Sequence, residues 1–464
     1  VPARHHLAAH LSGRRVQGRE SLGKQQERAA RIGRALAEAV GQLNQVANPD
    51  PLRQADALGR HAAEQVDGPD LYVNALGARA EVSSLTELVT AQRAGVPADE
   101  IMFLGPGKSR TEILACVKDE VVLICESFGE LALIDEIAAQ VGTTARVVLR
   151  VNPSFAVKGS GLTMGGKPRQ FGIDEEALFA APDLAGRHVA VRLCGIQAYL
   201  GTRILTEDVV VENSTRILDL AERLAERLGI PLDIVDVGGG LGVAYFSGER
   251  DLDVDDLTAK LNPVFAAFAE RHPGTRLVME LGRYLVGHSG VYAVEVRYVK
   301  ESMGERFAVA DGGTNHHMAA VGIGSFVKRN FPMRLLNRAG SDQRAPWNVT
   351  GPLCTPNDTL GKAVELPADL RPGDLVGVER SGAYGPTASP VHFLSHGYPA
   401  EVLVHDGQAR LIRTRDDADS LRAWTGARDT LAGEREAHAV RSSRDGQQAT
   451  IATLILDKVL RGSG

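Results

Sequence analysis

From about residue 100 onward, short unbroken apolar runs alternate with stretches of helical periodicity, and this rhythm constrains the fold more than any other feature of the chain. Apolar runs without polar alternation are typical of parallel strands buried on both faces, and the helices between them supply the crossover connections. A series of such units favours a closed (β/α) barrel over an open sheet. In order, the runs read EIMFLG, VVLICES, ARVVLRVNP, VAVRLCGIQAYLG, LDIVDVGGG and RLVMELGRYLV.

Helical periodicity fills the intervals between these runs. One helix is predicted from Ser109, a second from Phe128 to Val141, and a third in the stretch STRILDLAERLAERLG. Near the amino terminus, Ile32 and Val40 flank Leu36 at intervals of four residues, with charged residues between them, which predicts an amphipathic helix.

After about residue 290 the long helical stretches disappear, and alternating or apolar segments follow one another closely. This pattern predicts a second, mostly antiparallel β domain. The segment RDDADSLRAW predicts a short helix, and the remaining carboxy-terminal residues are polar and charged. We therefore divide the chain into a partly helical amino-terminal segment, the barrel, the β domain and a polar tail, at residues 1–40, 41–290, 291–415 and 416–464.

Composition excludes several classes of partner. The net charge is −6 with acidic and basic residues interspersed, which indicates no surface for nucleic acid or an anionic membrane. No apolar run reaches the length that spans a bilayer, and no signal peptide is visible. The four cysteines form no CxxC pair, which argues against a zinc site and favours a reduced, cytoplasmic location.

Barrel enzymes place their chemistry at the carboxyl ends of the strands, and several polar clusters lie at such points. Gly238, Gly239 and Gly240 directly follow a predicted strand, which is compatible with an anion site built from backbone N–H groups or with a tight turn. Glu280 and Arg283 follow another strand in MELGRY. A carboxylate leaving an apolar strand needs a partner, so a buried ion pair is the alternative to a functional site.

Other candidates are equally open when taken one at a time. Arg150 ends a strand in LRVNP, and Tyr199 in GIQAYLGT is either a core residue or a ring that stacks on a planar ligand. Cys354 and Tyr384 lie in the Gly/Pro-framed loops GPLCTPND and SGAYGPTASP, where a chemical role is more plausible than in a core.

The triplet Asn315, His316 and His317 raises the question of a metal. Adjacent histidines on a strand point to opposite faces, and no acidic residue lies close in sequence, so we expect no metal site.

Taken together and in order, these segments resemble the fold type III pyridoxal-phosphate (PLP) decarboxylases, the group of the ornithine, diaminopimelate and arginine decarboxylases. The resemblance extends from about Glu81 to Val404. It is carried by EVSSLTEL, LRVNP, QFGID, DVGGGLG, ELGRYLV, GPLCTP and SGAYG. The segments TMGGKPRQFGID, GPLCTPND and ASPVHFLSHGYPAEVLV are nearer to the branch with the butirosin-type glutamyl-carrier-protein decarboxylase and the exosortase-associated proteins.

This resemblance implies an alanine-racemase-like (β/α)8 barrel that binds PLP, followed by the β domain, in a homodimer. It implies that the amides of Gly238, Gly239 and Gly240 hold the PLP phosphate together with Tyr384, with Arg283 and Arg150 also at the cofactor. Glu280 would face the pyridine nitrogen, and its charge would favour the protonated ring. Tyr199 occupies the position of a ring-stacking histidine. Cys354, from the partner subunit, would return a proton after CO₂ leaves.

Two positions depart from the family pattern. Thr355 follows Cys354, where ornithine- and diaminopimelate-type members have an acidic residue that recognises a distal cation, so a basic amino acid is disfavoured as the substrate. The family lysine that forms an imine with PLP precedes Ala-Asn-Pro, and here Val46 occupies that place. A second alignment, through Leu71 and Tyr72, also lacks a lysine.

Because valine forms no imine, several explanations stay open. PLP binds without a covalent anchor, another lysine serves, the protein is inactive, or the first 75 residues are a disturbed record of the chain. We expect a decarboxylase of secondary metabolism that acts on an amino acid or a carrier-protein-tethered aminoacyl group. The alternative is a non-catalytic homologue that binds PLP or a partner.

Overall fold

The structure of the chain, a computed structural model, describes residues 78–156, 162–322, 329–405 and 408–424. The predicted amino-terminal helix, Val46, Leu71 and Tyr72 therefore lie outside the described residues.

The first part of the described chain is a sheet of seven parallel strands in the order β1-β2-β3-β4-β7-β9-β10. Each strand but the last is followed by a helix on the way to the next, as the alternating pattern predicted. This α/β barrel sheet confirms the fold prediction. The strands are β1 Ala80–Val82, β2 Ile101–Phe103, β3 Val122–Cys125, β4 Ala145–Asn152, β7 Val191–Gln197, β9 Ile234–Gly239 and β10 Arg276–Glu280.

Apolar residues on both faces of these strands are buried, because each face packs against a different cluster. One face meets the helices, and Phe103 and Leu149 belong to this large core. The opposite face fills the barrel interior with Met102, Ile124 and Cys194, among others. A strand with two buried faces needs an unbroken apolar run, which is the pattern that the sequence shows.

The helices of the barrel begin at well-defined caps. Ser84, Ser109 and Ser127 each accept a hydrogen bond from the backbone N–H of a glutamate three residues later. Such caps typically contribute about 1 kcal/mol each. The predicted helix from Phe128 to Val141 is confirmed to the residue. The barrel helices are α1 Leu85–Arg93, α2 Arg110–Lys118, α3 Phe128–Val141, α4 Glu175–Phe179, α5 Leu184–Arg187, α6 Glu207–Leu228, α7 Val254–Arg271 and α8 Gly282–Val286.

Three two-residue strands lie beside the barrel mouth. Strand β6 (Ile173–Asp174) pairs with the end of β4, and β5 (Leu162–Thr163) pairs with β8 (Gly201–Thr202). Immediately after β8, Ile204 bridges to Leu241. These short pairings bring loops from distant parts of the chain to one end of the sheet.

The second part of the chain is a six-stranded sheet in the order β13-β16-β11-β12-β14-β15. Four of its five pairings are antiparallel, and only β12 with β14 is parallel, which confirms the mostly antiparallel prediction. The strands are β11 Val291–Ser302, β12 Glu305–Ala310, β13 Met333–Leu335, β14 Arg344–Thr350, β15 Thr359–Pro367 and β16 Leu375–Glu379. Their core also takes in Val243 and Tyr245 from the loop after β9, so barrel and β domain share apolar packing.

Shorter elements complete the description. Helix α9 (Met318–Val321) follows the histidine pair, and β17 (Glu401–His405) pairs with β18 (Gln408–Arg413) as a hairpin. Residues from Asp416 form a separate unit, in which helix α10 (Ala418–Trp424) confirms the short helix predicted there. No helix in the described residues combines the length and apolarity needed to cross a membrane. The domain boundaries given above stay predictions.

Candidate active site

The glycine triplet forms a tight loop at the end of β9. Gly238 and Gly240 have φ values of +64° and +72°, which favour glycine. A Cβ on Gly239 would lie 2.0 Å from the carbonyl oxygen of Glu280, and one on Gly240 would lie 1.9 Å from that of Gly201. The backbone of the glycine loop therefore packs directly on the backbone of Glu280 and Gly201, with no room for side chains. A loop without side chains lets its backbone N–H groups approach an anion closely. The N–H of Gly238 itself is donated to Asp236 Oδ1 at 2.8 Å.

Three carboxyl groups meet beside this loop, and they come from different strands. Asp236 of β9 is fully buried, its Oδ2 has no hydrogen-bond partner among the described residues, and its acidic neighbours are Glu280 of β10 and Glu81 of β1. Burial raises the pKa of Asp236 well above its usual range, and the charges of Glu280 and Glu81 raise it further. Burial and like charge thus both favour the protonated form of Asp236 in the cofactor-free protein.

Glu280 is the centre of this cluster. Gln197 Nε2 donates to Glu280 Oε1 at 2.7 Å. Burial raises the pKa of Glu280, whereas the bond from Gln197 and the positive charge of Arg150 act in the opposite direction. Among the described residues, nothing pairs with the buried Oε1 of Gln197. A proton can therefore be held or released at Glu280, with an unused acceptor alongside it.

Arg150 lies two residues before the end of β4 and is itself buried. Its Nη1 donates to Glu126 Oε1 at 3.0 Å, and its guanidinium lies 4.7 Å from the ring centroid of Phe171. Glu126 also accepts the N–H groups of Gly105 and Gly172, so it ties three loops together. Arg150 therefore forms a buried ion pair with Glu126, and its positive charge also lowers the pKa of Glu280.

Tyr199 lies two residues after the end of β7 and packs against the glycine loop. A Cβ on Gly238 would come within 2.9 Å of Tyr199 Cδ2, so the ring packs on that glycine. Burial raises the pKa of the Tyr199 phenol to about 12, while a hydrogen bond with Thr202 lowers it. The ring stays neutral and apolar at physiological pH, as a stacking surface requires.

Arg283 follows β10 and lies in the first turn of α8. Its guanidinium sits 4.3 Å from the ring centroid of Tyr384, which is exposed and has a φ of +56°. Its Nη1 donates to the hydroxyl of Tyr245 at 3.1 Å, and within the described chain its buried Nε lacks a partner. Arg283 and Tyr384 are thus brought together, with donor capacity left over.

Cys354 lies in an exposed loop of the β domain. The buried carboxylate of Asp358 fixes this loop by accepting the N–H groups of Leu353 and Thr314 at 2.7 and 2.6 Å. Within the described part of this chain, no hydrogen bond joins Cys354 to the carboxyl cluster. Tyr199 thus packs on the glycine loop and Arg283 on Tyr384, whereas Cys354 is exposed.

The two histidines lie in a turn and not on a strand, so our strand argument about their directions does not apply. Both are buried. His316 is bonded to the Tyr292 hydroxyl and the Gly397 carbonyl, and His317 to the Ser381 hydroxyl. Burial lowers the pKa of His316 to about 4. In the described ranges no group of three or more His, Cys, Asp or Glu side chains is arranged to hold a metal.

The side chain of Lys108 is only 1% exposed, and its ammonium group is held by three acceptors. Its Nζ donates to the carbonyl oxygens of Gly105 and Ile124 at 2.7 and 2.6 Å and to Glu130 at 2.6 Å. These bonds use all the donors of an ammonium group, so Lys108 does not present a free amine in this arrangement. Val46, at the expected lysine position, lies outside the described residues.

Several site residues had no role in our sequence analysis. Asp236 and Gln197 could have been found, since Asp236 precedes the glycine triplet by two residues and Gln197 precedes Tyr199 by two residues at the end of a strand. Glu81 lies in a motif that carries the resemblance. Glu126 and Arg203 lie in no sequence pattern that would have predicted a role for them.

Comparisons with known proteins agree with this geometry. The family model described as the pyridoxal-binding domain of the pyridoxal-dependent decarboxylases matches residues 71–287. The L-glutamyl-[BtrI acyl-carrier protein] decarboxylase of Niallia circulans is 43% identical over 350 residues, which cover 74% of this chain and 82% of that protein. A diaminopimelate decarboxylase of Helicobacter pylori is 31% identical over 348 residues, covering 75% of this chain and 83% of the relative.

Solved structures point the same way. The crystal structure of Helicobacter pylori diaminopimelate decarboxylase complexed with L-lysine matches with a TM-score of 0.68 at 26% identity, covering 83% of this chain and 99% of that one. The crystal structure of diaminopimelate decarboxylase from M. jannaschii in complex with L-lysine has a TM-score of 0.69 at 24% identity, covering 81% of this chain and 88% of that one, which shows the shared fold. The chain therefore belongs to the PLP-dependent decarboxylases, the carboxy-lyase family of the ornithine, diaminopimelate and arginine decarboxylases.

Proposed function

We propose that this enzyme removes the α-carboxylate of a glutamyl group tethered to an acyl-carrier protein. The observation that carries the proposal is the 43% identity, over 74% of the chain, to a decarboxylase of L-glutamyl-[BtrI acyl-carrier protein]. The diaminopimelate decarboxylases match at about 30%. Thr355 supports the same choice, because a neutral residue after Cys354 offers no charge to a distal ammonium group.

PLP fits the residues at the barrel mouth. The glycine loop leaves room only for backbone against its partners, Arg283 keeps an unused buried donor, and Gln197 keeps an unused buried acceptor. A phosphorylated pyridine can use a cradle of N–H groups, a guanidinium and a carboxyl group. When bound, PLP supplies the electron sink that makes loss of the α-carboxylate feasible.

We assign the roles of the surrounding residues on this basis. The loop Gly238–Gly240 and Arg283 bind the phosphate together with Tyr384. The N–H of Gly238 is engaged with Asp236, so we expect Gly239 and Gly240 to contribute the free amides. Tyr199 stacks on the ring.

Glu280 holds the ring nitrogen protonated, and its neighbours set its charge. Gln197 and Arg150 favour the ionised carboxylate, whereas burial favours the neutral acid. A cationic nitrogen opposite Glu280 would pull the balance towards the carboxylate, so cofactor binding and ionisation of Glu280 are coupled.

Cys354 is proposed to deliver a proton to the α-carbon from the partner subunit of a homodimer. Its exposure and its lack of a hydrogen bond to the carboxyl cluster within the described chain support this arrangement. Asp358 would position the loop, since its carboxylate fixes the backbone on the amino-terminal side of the cysteine. A cytoplasmic location is proposed with it, because no disulfide joins the four cysteines, all of which are described.

The experiment that tests this function uses purified protein supplied with PLP and carrier protein loaded with L-glutamate. We expect intact-mass analysis to show the carrier losing the mass of one CO₂, with slower turnover of free glutamate and of diaminopimelate. A carrier loaded with D-glutamate is the control for spontaneous loss. No CO₂ from any tested acid would instead favour the non-catalytic homologue.

The same preparation addresses the covalent anchor. Borohydride reduction followed by peptide mapping would identify a lysine that carries the cofactor. We expect a peptide other than the one holding Lys108, because all three donors of that side chain are engaged.

A further inference from the structure

Arg203 stands at the barrel mouth on the segment that faces the glycine loop. It directly follows β8, and the next residue, Ile204, donates its N–H to the Gly240 carbonyl at 2.9 Å. The Ile204 carbonyl in turn accepts the N–H of Gly242 at 2.7 Å. This pairing ties the backbone of Arg203 to the loop that we assign to the phosphate.

The backbone of Arg203 has a φ of +61°, in the left-handed region that glycine adopts readily and other residues rarely do. The adjoining loop uses glycine for the same conformation at Gly238 and Gly240. An arginine held in this conformation costs backbone stability, and such strain is concentrated at functional sites. Glycine would adopt this conformation without strain, so the presence of arginine here indicates a role for its side chain.

The guanidinium of Arg203 shares a single carboxylate with a second arginine. Glu249 Oε1 lies 3.4 Å from Arg203 Nη2 and 3.1 Å from Arg329 Nη1. The other oxygen of Glu249 accepts the N–H groups of Tyr245 and Phe246. The single negative charge of Glu249 is thus shared by two guanidinium groups and two backbone N–H groups.

Arg283 adds a third positive charge nearby. Arg203 and Arg283 both lie on the ring of Tyr245, with guanidinium carbons 5.7 and 5.6 Å from its centroid. Burial lowers the pKa of Arg203, and the charges of Arg283 and Arg329 lower it further although Glu249 opposes them. The Nε atoms of Arg203 and Arg283 are both buried and without a hydrogen-bond partner in the described structure. Three cations and one carboxylate leave two positive charges for anions to neutralise.

The rings around Arg203 also define what kind of anion fits. Its guanidinium lies 4.9 Å from the centroid of Phe246, and Tyr245 stacks on Phe331 at 4.3 Å. An oxyanion on a short aliphatic chain could place its methylene groups against these rings and its charge against the guanidinium fork. The cofactor phosphate already has Arg283 and the glycine amides, so the second excess charge is available to the substrate.

We propose that Arg203, held by Glu249 and flanked by Arg329, is a specificity-determining residue that binds the side-chain carboxylate of an acidic aminoacyl substrate. This inference rests on the proposed function, since it names the group that distinguishes glutamyl from neutral substrates. It accounts for the surplus charge, the free donor atom and the strained backbone of one residue together.

The test compares Arg203→Gln and Arg203→Gly with wild type, and Arg110→Gln on the outer helix α2 is the matched control. We expect Arg203→Gln to lower kcat/KM for glutamyl-loaded carrier by about 10- to 100-fold, with little change for glutaminyl-loaded carrier, because one hydrogen bond to a charged group is lost. Arg110→Gln should leave both values unchanged. Equal losses on the two substrates would overturn the assignment.

Arg203→Gly separates function from structure. It removes the side chain and also relieves the positive φ, so we expect an unchanged or higher melting temperature together with the same loss of glutamyl preference. A lower melting temperature with the preference retained would show that Arg203 is only structural.

Two binding measurements distinguish the source of the anion. If Arg203 serves the cofactor phosphate, Arg203→Gln will weaken PLP in an absorbance titration and leave the substrate preference intact, which overturns the proposal. If wild type decarboxylates no glutamyl carrier, the proposed function fails, and calorimetry with glutarate and its monoamide still decides the inference. Tighter binding of glutarate that is lost in Arg203→Gln supports the carboxylate site, and equal binding of both compounds rejects it.

Discussion

The glycine loop beside β8 can be tested with a single methyl group, by the substitution Gly240→Ala. The new Cβ would be placed 1.9 Å from the carbonyl oxygen of Gly201, whereas ordinary contact begins at 3.4 Å. Backbone has no rotamer with which to move aside, so the two loops must separate by roughly the difference. This separation breaks the pairing through Ile204, which consists of the 2.9 Å bond to Gly240 and the 2.7 Å bond from Gly242.

The magnitude follows from these contacts. Alanine at a φ of +72° costs about 1–2 kcal/mol in any surroundings. Loss of the two backbone hydrogen bonds adds about 1 kcal/mol each, which gives a total destabilisation of about 3–4 kcal/mol. Displaced amides should also weaken PLP binding by about tenfold or more, because charge-assisted bonds to phosphate are lost.

Gly229→Ala is the matched control. Gly229 ends α6 with a φ of +62°, and a Cβ there would meet nothing within 4 Å. It should therefore show only the backbone cost of about 1–2 kcal/mol and normal PLP affinity. Chemical denaturation followed by far-UV circular dichroism gives the stability, and an absorbance titration gives the affinity. Equal effects of the two substitutions would refute the close-approach reasoning.

Three further predictions concern the carboxyl cluster and the cysteine. Glu280→Gln should fold normally but lower kcat by about 100-fold or more, since the charge opposite the ring nitrogen is lost; unchanged turnover in a steady-state CO₂ assay would remove that role. Cys354→Ala should slow reprotonation by about 100-fold or divert product to an aldehyde, and a wild-type product profile by chromatography would exclude the thiol. The folded-state pKa of Asp236 is raised, so the folded protein binds this proton more tightly than the unfolded chain does. The stability that this proton contributes is fully present below pH 3.8, the ordinary pKa of the carboxyl group. It is lost as the pH rises through the raised pKa of the folded protein. The contribution of Asp236 to the stability of the cofactor-free protein should thus fall from about pH 4 upward, whereas carboxyl groups with a lowered pKa, such as Glu222 and Asp251, contribute the opposite trend. Removing the Asp236 term in Asp236→Asn should therefore shift the pH slope of the denaturant midpoint in the positive direction relative to wild type; identical slopes would contradict the pKa direction.

Much of the fold could be predicted from local sequence pattern, because strand and helix periodicities act over a few residues. The helix Phe128–Val141 agrees with its prediction at both ends, where Ser127 caps the start and Gly142 ends it with a φ of +79°. The change of pattern near residue 290 likewise marks the point where parallel pairing gives way to an antiparallel sheet. The motifs at the strand ends located most of the site.

The expectation for the histidine pair shows the limit of local pattern. We placed His316 and His317 on a strand, but strand β12 ends at Ala310 and the pair lies in a turn. Two of their hydrogen-bond partners, Gly397 and Ser381, lie more than 60 residues away in the chain. Period-two alternation carries no information about such contacts.

By itself the sequence determined the buried strands, the serine caps and the glycines that only close backbone approach requires, because each depends on neighbouring residues and on the shape of the backbone. The tertiary structure decided which charges face one another. Gln197 meets Glu280 across 83 residues, and Arg203 meets Glu249 across 46. Burial then sets the protonation of Asp236, and packing sets how many cations share one carboxylate. These quantities depend on distance and desolvation in the folded chain, so no motif in the linear sequence could contain them.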